Sequence, residues 1–233
     1  MEQKKKELVD FLSESGVLKF GNFVLKSGRC SPYFVNAGDL NNGASLEKIG
    51  TELSRYIPKE TTLIFGLAYK GIPLAASAAI AMKNLDRNVR FAYNRKESKN
   101  YGEATHDDFL GKNLIGKLYD EDKVVLVDDV ITDGKTKYET VDLIRNISNA
   151  EIIKQLVMVD RQEVDDFGKN AVEEFMKKTE IPIESLICTL DIYDYFCLKD
   201  NLEEAGKIFD YLKKYGTEKA RSLLVHCIGQ IAD

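Results

Sequence analysis

Apolar residues recur along this chain in two rhythms that take turns. Leu8, Phe11 and Leu12 stand at helical spacing and stop at Gly16, which predicts a helix over residues 2–15. Val17 to Phe20 and Phe23 to Leu25 are short strand-like runs, and the Gly21-Asn22 between them predicts a hairpin turn. Leu46, Ile49, Leu53, Tyr56 and Ile57 predict a helix over 45–57. Residues 62–66 read as a buried strand and the alanine-rich run 74–83 as a helix, with Pro73 suited to its first turn. Val89 to Tyr93 alternates as a strand does, and between Tyr93 and Val124 lie about thirty residues with little pattern, the usual mark of a lid or binding loop. Val124 to Val127 is an unbroken β-branched run, as in a parallel strand covered on both faces. Tyr138, Val141, Ile144 and Ile147 then repeat at helical spacing. Residues 152–159 read as a strand, 165–178 as a helix and 181–190 as holding the last strand, before three helical patterns run to about Ile231. The alternation predicts an α/β fold with a central, mostly parallel sheet flanked by helices.

Composition narrows this picture. A chain of 233 residues, 30% charged and 44% hydrophobic, has the balance of a globular protein with a full core. A net charge of −5 argues against general nucleic-acid binding. No apolar run approaches membrane-spanning length, and the stretch Met1 to Glu7 does not read as a signal peptide, so a cytoplasmic location is expected. Cys30, Cys188, Cys197 and Cys227 are scattered, which reads as free thiols without structural zinc. There is no internal repeat, low-complexity tract or linker.

The chemistry concentrates after the Val124 strand, in Asp128-Asp129-Val130-Ile131-Thr132-Asp133-Gly134-Lys135-Thr136. Two carboxylates stand where the strand is expected to end, and a short loop leads into a helix. Backbone N–H groups of such a loop and helix start make a phosphate site. The adjacent acids suit sugar hydroxyls or a cation, so the stretch points to a phosphorylated sugar with magnesium. An Asp at a strand end is also an ordinary cap or turn former. Gly134-Lys135-Thr136 copies the end of a nucleotide P-loop, but Asp129 stands where that loop needs its first glycine.

Four further segments carry candidate groups. Lys26-Ser27-Gly28-Arg29-Cys30-Ser31-Pro32-Tyr33-Phe34-Val35 pairs basic residues with aromatics; by local pattern it reads as a surface turn leading into a core strand. Tyr69 and Lys70 follow the strand at 62–66, on the side of a parallel sheet where ligands bind. Arg95, Lys96 and Lys99 open the long unpatterned segment and are either a solvated basic patch or a site for a leaving anion. Asp160-Arg161-Gln162-Glu163 ends the strand at 152–159, where Arg161 is either half of a salt bridge or a fork for a ligand carboxylate.

Val-Asp-Asp-Val-Ile-Thr-x-Gly resembles the ribose-phosphate motif of the type I phosphoribosyltransferases. Leu-Lys-Ser-Gly-Arg-x-Ser-Pro-Tyr-Phe, the Arg-Lys-Glu-x-Lys-x-x-Gly loop and Asp-Arg-Gln-Glu resemble the orotate branch of that family, over roughly residues 8–200. The resemblance implies the type I fold on one phosphoribosyltransferase domain over 1–233, with an N-terminal hood over about 1–40, a long flexible loop and C-terminal helices over about 200–233. It implies transfer of the phosphoribosyl group from phosphoribosyl diphosphate to orotate. Asp128 and Asp129 would hold the ribose, and Val130, Ile131, Thr132, Asp133, Gly134, Lys135 and Thr136 the 5-phosphate. Lys26, Tyr69, Lys70, Arg95, Lys96, Lys99 and Tyr101 would meet the diphosphate, with Lys99 the largest catalytic contributor. Lys26, Phe34, Val35, Thr132 and Arg161 would hold orotate. Magnesium would arrive with the substrate, with no direct protein ligand, and loop 95–115 would reach into the partner's site in a homodimer.

The chain departs from the family pattern at four places. Tyr101 stands where many members carry His, and His106 in a longer loop is a candidate replacement. Asp133 and Lys135 replace small residues, with Asp133 a candidate to orient Lys135, and Val35 replaces an aromatic that some members have. These departures leave a second reading, a regulator that binds phosphoribosyl diphosphate without turnover.

Overall fold

The computed structural model describes residues 2–96, 114–131 and 135–229. Helix α1 (Gln3–Glu14) buries Leu8, Val9 and Leu12 and gives way to Gly16 at φ 73°. Strands β1 (Leu18–Val24) and β2 (Cys30–Val35) form a two-stranded antiparallel sheet. The turn expected at Gly21-Asn22 is not there: β1 runs through both residues. Phe20 pairs with Tyr33 and Phe23 with Ser31, so Gly21 and Asn22 together face Pro32. Proline has no N–H to give the ladder, and the surplus residue is absorbed as a bulge. The reversal comes later, where Leu25 N–H bonds the Arg29 carbonyl and Gly28 adopts φ 77°.

The main sheet has six strands in the order β5-β4-β3-β6-β7-β8. They are β3 (Leu63–Gly66), β4 (Arg90–Asn94), β5 (Leu114–Ile115), β6 (Lys123–Ile131), β7 (Glu151–Asp160) and β8 (Ile183–Cys188). All neighbours are parallel except β4 and β5. The edge strand β5 lies in the segment that carried no readable pattern; two residues are too few to show one. Helices α2 (Gly43–Ser54) and α3 (Gly71–Asn84) cover one face. Helices α4 (Lys135–Ile147) and α5 (Ala171–Thr179) cover the other. Helix α5 starts six residues after the expected position, because the Asp165 carboxylate caps a turn by accepting from Phe167 and Lys169 N–H and Asn170 then caps the helix. Helices α6 (Thr189–Leu198), α7 (Leu202–Tyr215) and α8 (Glu218–Gly229) end the described chain.

Strand alternation sorts β6 between two cores. Val125 and Val127 join the cluster under α2 and α3, while Val124 and Leu126 join Val141, Ile144 and Phe175 on the opposite side. β6 does not stop at the acids. Val130 and Ile131 still pair with Val159 and Asp160 on β7, so Asp128 and Asp129 belong to the strand's last turns of pleat. From β3 the chain steps out to β4 on one side and returns as β6 on the other. The crevice beyond the ends of β3 and β6 is therefore the switch point where open parallel sheets bind ligands. Among the described residues no helix is long and apolar enough to cross a membrane.

Candidate active site

The acidic pair stands at this switch point, and each acid has its own lysine. Lys137, from the first turn of α4, reaches back so that Nζ lies 2.7 Å from Asp128 Oδ2 and 2.8 Å from the Val130 carbonyl. Its side chain is 5% exposed. Lys70, from the loop after β3, lies 3.3 Å from Asp129 Oδ2, with its side chain 40% exposed. Each carboxylate also accepts a backbone N–H, Asp128 from Asp129 and Asp129 from Val130, both at 2.9 Å. Burial, and then the Asp128 charge, push the Asp129 carboxyl above the usual carboxylate range.

The loop between β3 and α3 is pressed against β6. Leu67 N–H bonds the Val127 carbonyl, and a Cβ on Gly71 would come within 2.3 Å of that same oxygen. Only glycine allows this approach, which brings Lys70 across to Asp129. The peptide bond between Ala68 and Tyr69 is cis. Asn94, at the end of β4, steadies the loop by accepting the Ala68 N–H at 2.9 Å. Tyr69 is exposed, and Lys96 lies 4.7 Å from the centre of its ring. Arg95 is half-buried, and its Nε has no hydrogen-bond partner among the described residues.

A second cationic centre stands at the end of the neighbouring strand β7. Arg161 is 3% exposed. Its Nε donates to Glu163 at 2.7 Å, and its Nη2 donates to Ser31 Oγ at 2.9 Å and to the Tyr211 hydroxyl at 3.4 Å. The guanidinium lies 4.3 Å from the Tyr33 ring centre. Behind it, Thr189 Oγ1 donates to the Arg161 carbonyl at 2.7 Å and shares a 2.6 Å hydrogen bond with the Tyr33 hydroxyl. Nη1 makes no hydrogen bond among the described residues, so one corner of the fork remains for a ligand. Asp160 and Gln162 serve the turn instead: Asp160 accepts the Gln162 N–H, and Gln162 Oε1 accepts the Leu190 N–H at the start of α6.

The two-stranded β1–β2 sheet touches both centres. Ser31 and Tyr33 of β2 meet Arg161, and Phe34 points from the opposite face of the strand toward Lys70, 5.8 Å from its ring centre. Val35 lies in the main core, 4% exposed. Arg29 ties this sheet to the segment after β7 through the Val164 carbonyl at 2.6 Å and Asp166 at 2.8 Å. Lys26 is exposed in the turn, without an ion pair among the described residues. Val130 is half-buried, Ile131 is buried, and Thr136 is half-buried in the first turn of α4. Lys99, Tyr101, His106, Thr132, Asp133 and Gly134 lie outside the described residues. Lys137, Ser31, Tyr211 and Asn94 were not singled out from the sequence; a lysine in a helix's first turn carries no mark of being buried.

The phosphoribosyl transferase domain family matches residues 39–178. The chain is 37% identical over 221 residues to an orotate phosphoribosyltransferase of Methylococcus capsulatus, covering 93% of this chain and 100% of that one. It is 38% identical over 232 residues to one of Agathobacter rectalis, covering 93% and 99%. The crystal structure of the orotate phosphoribosyltransferase of Francisella tularensis superposes with a TM-score of 0.76 at 32% identity, covering 91% of this chain and 100% of that one. With the acid pair at the switch point and these relatives matching almost end to end, the chain belongs to the orotate phosphoribosyltransferase family.

Proposed function

We propose that this protein transfers the 5-phosphoribosyl group of phosphoribosyl diphosphate to N1 of orotate, giving orotidine 5′-monophosphate and diphosphate. The observation that carries the reading is the pairing of Asp129 on β6 with Lys70 from the loop after β3, across the switch point. Breaking the C1–O bond leaves positive charge on the ribose and negative charge on the diphosphate. Asp128 and Asp129 stand by the first charge and hold the ribose hydroxyls, while Lys70, Arg95, Lys96 and Lys99 take the second, helped by Lys26, Tyr69 and Tyr101. Thr132 to Thr136 hold the 5-phosphate with backbone N–H groups, whereas Val130 gives its N–H to Asp129 and, like Ile131, pairs with β7. Nη1 of Arg161 takes one oxygen of the orotate carboxylate, and Phe34 and Thr132 bound the base on its other sides, whereas Val35, expected there, is held in the main core. No covalent nucleophile is needed; the residues act by position and charge.

Among the described residues no group of three or more His, Cys, Asp or Glu could hold a metal ion by itself. Magnesium would instead arrive bound to phosphoribosyl diphosphate, with Asp128 and Asp129 holding the ribose hydroxyls beside it rather than ligating the ion. Magnesium bound this way supplies Lewis-acid stabilisation of the departing diphosphate. We read the chain as one phosphoribosyltransferase domain, with residues 1–40 as its hood and 200–233 as its C-terminal helices, acting in the cytoplasm as a homodimer whose loop 95–115 enters the partner's site.

The test follows orotate by its ultraviolet absorbance with phosphoribosyl diphosphate and magnesium, beside uracil, hypoxanthine and adenine. Turnover of orotate alone, abolished by chelator, is the expected result. Turnover of another base overturns the substrate assignment, and binding of phosphoribosyl diphosphate without turnover of any base supports a regulator instead.

A further inference from the structure

The two acids of the pair are held in unlike ways. Lys70 is a cation at the surface: its side chain is 40% exposed and its distance to Asp129 is 3.3 Å. It can turn toward an incoming diphosphate because its own side chain is partly in solvent, although the Asp129 side chain it leaves is only 11% exposed. Lys137 cannot leave. Its side chain is 5% exposed, and its ammonium is hydrogen-bonded both to Asp128 Oδ2 and to the Val130 carbonyl, at 2.7 and 2.8 Å. Withdrawing it would leave Asp128, whose side chain is 13% exposed, without its cation and would break both bonds of a buried ammonium. The two contacts also join three pieces of the site: the acid, the backbone just after it, and the first turn of the helix behind the phosphate loop.

We propose that Lys137 is a positioning residue of the sugar-phosphate site: its buried ammonium clamps Asp128 and the Val130 carbonyl, so that Asp128 presents a fixed, charge-compensated carboxylate while Asp129 is uncovered when Lys70 moves to the ligand. This rests on the reading of the site as one for phosphoribosyl diphosphate. The division of labour follows from the geometry. With Lys137 in place, the crevice carries the uncompensated charge of one acid rather than two when Lys70 leaves, which lessens repulsion of a polyanionic ligand. Asp128 already has both oxygens oriented, Oδ1 by the Asp129 N–H and Oδ2 by Lys137, so its rotamer is set before the sugar arrives.

The test is a double-mutant cycle on Lys137→Met and Asp128→Asn. It reads the affinity for phosphoribosyl diphosphate with magnesium by calorimetry, together with KM for each substrate and kcat. Lys137→Met is expected to weaken phosphoribosyl diphosphate by roughly 10- to 100-fold, the range for losing an orienting partner, and to leave KM for orotate within about twofold. Because Lys137 acts through Asp128, the double variant is expected to bind no more weakly than the poorer single variant. Lys137→Met leaves the largely covered Asp128 carboxylate without its cation, at a cost to folding, whereas the double variant is neutral at both positions. Asp128→Asn against the double variant then decides alone: equal affinity supports the clamp. A further loss of about tenfold, or multiplying costs in the full cycle, overturns it. Lys137→Met with unchanged affinity and only a lower melting temperature overturns it too. If the unaltered protein takes up no phosphoribosyl diphosphate in the same titration, the reading of the site fails and the clamp with it; intact binding with multiplying costs sinks the clamp alone.

Discussion

At the scale of single residues, the site sets function against stability at Asp129. Burial, followed by the Asp128 charge, raises its carboxyl in the folded protein. As pH rises, the unfolded chain therefore ionises this group first. The folded state loses stability across the window between the ordinary carboxylate value and the raised one, and above that window the loss stays at its full size. Asp129→Asn removes the loss, and its side-chain oxygen can still accept the Val130 N–H that Asp129 Oδ1 now takes. The Lys70 pair that disappears is 40% exposed on the lysine side and 11% on the acid side, so its loss offsets part of the gain. We expect Asp129→Asn to be more stable at neutral pH, with a higher Tm, while losing at least about 100-fold in activity. Thermal melts at several pH values check this: the gain should vanish once the pH falls below the ordinary carboxylate range, and a gain independent of pH would contradict it. The acids themselves were legible in the sequence, since two carboxylates after a fully apolar strand are hard to explain structurally. Their lysines were legible only in part. Lys70 was found because its loop resembled a known one; Lys137 was missed because burial of a lysine depends on an acid nine positions away along the chain.

At the scale of elements, long periodic segments were read well and short or interrupted ones were not. Val141 and Ile144 are buried on the face their spacing indicated, and Leu8 and Leu12 likewise. β6 was expected to end at its acids because charged residues are uncommon in a buried strand; here β7 continues to offer partners as far as Asp160, and each acid finds a lysine. The misplaced hairpin has a different cause. Gly21-Asn22 is a good local turn signal, but it was overridden by Pro32 across the ladder, a long-range fact. The close contact between the loop after β3 and β6 was also invisible, since it shows only as a glycine. It makes a specific prediction. A methyl group at Gly71 would sit 2.3 Å from the Val127 carbonyl oxygen, so Gly71→Ala must push α3's first turn away from β6. We expect about 1–3 kcal/mol of lost stability, the usual range for overpacking. KM for phosphoribosyl diphosphate should rise more than KM for orotate, because Lys70 moves with the loop and Arg161 does not. Equal changes in both constants would show that the loop does not carry Lys70's position.

At the scale of the whole molecule, the described residues supply most of a site but not all of its cations. Asp128, Asp129, Lys70 and Arg161 are set by the ends of three neighbouring strands, β3, β6 and β7, and by β2 of the same chain. Lys99, assigned to the departing diphosphate, belongs to the segment after Lys96 and is the group that a homodimer would exchange. In the proposed dimer each loop would serve the neighbouring acid pair, so the two functions could be separated by mutation. Asp129→Asn damages the site in its own subunit, and Lys99→Ala damages the site of the partner. Each variant alone is expected to be nearly inactive. After the two are mixed, dissociated and reassociated, half the dimers are hybrids. In a hybrid both lesions fall on one site, which leaves the other intact, so activity should return to about one quarter of the unaltered protein's. If the loop instead serves its own subunit, every site in every hybrid carries one lesion and mixing restores nothing. Activity after reassociation, measured against each variant treated identically, separates the two arrangements, and sedimentation of the same samples verifies that hybrids could form. A protein that sediments as a monomer at full activity would remove the dimer from the mechanism and make Lys99 a group of its own subunit's site.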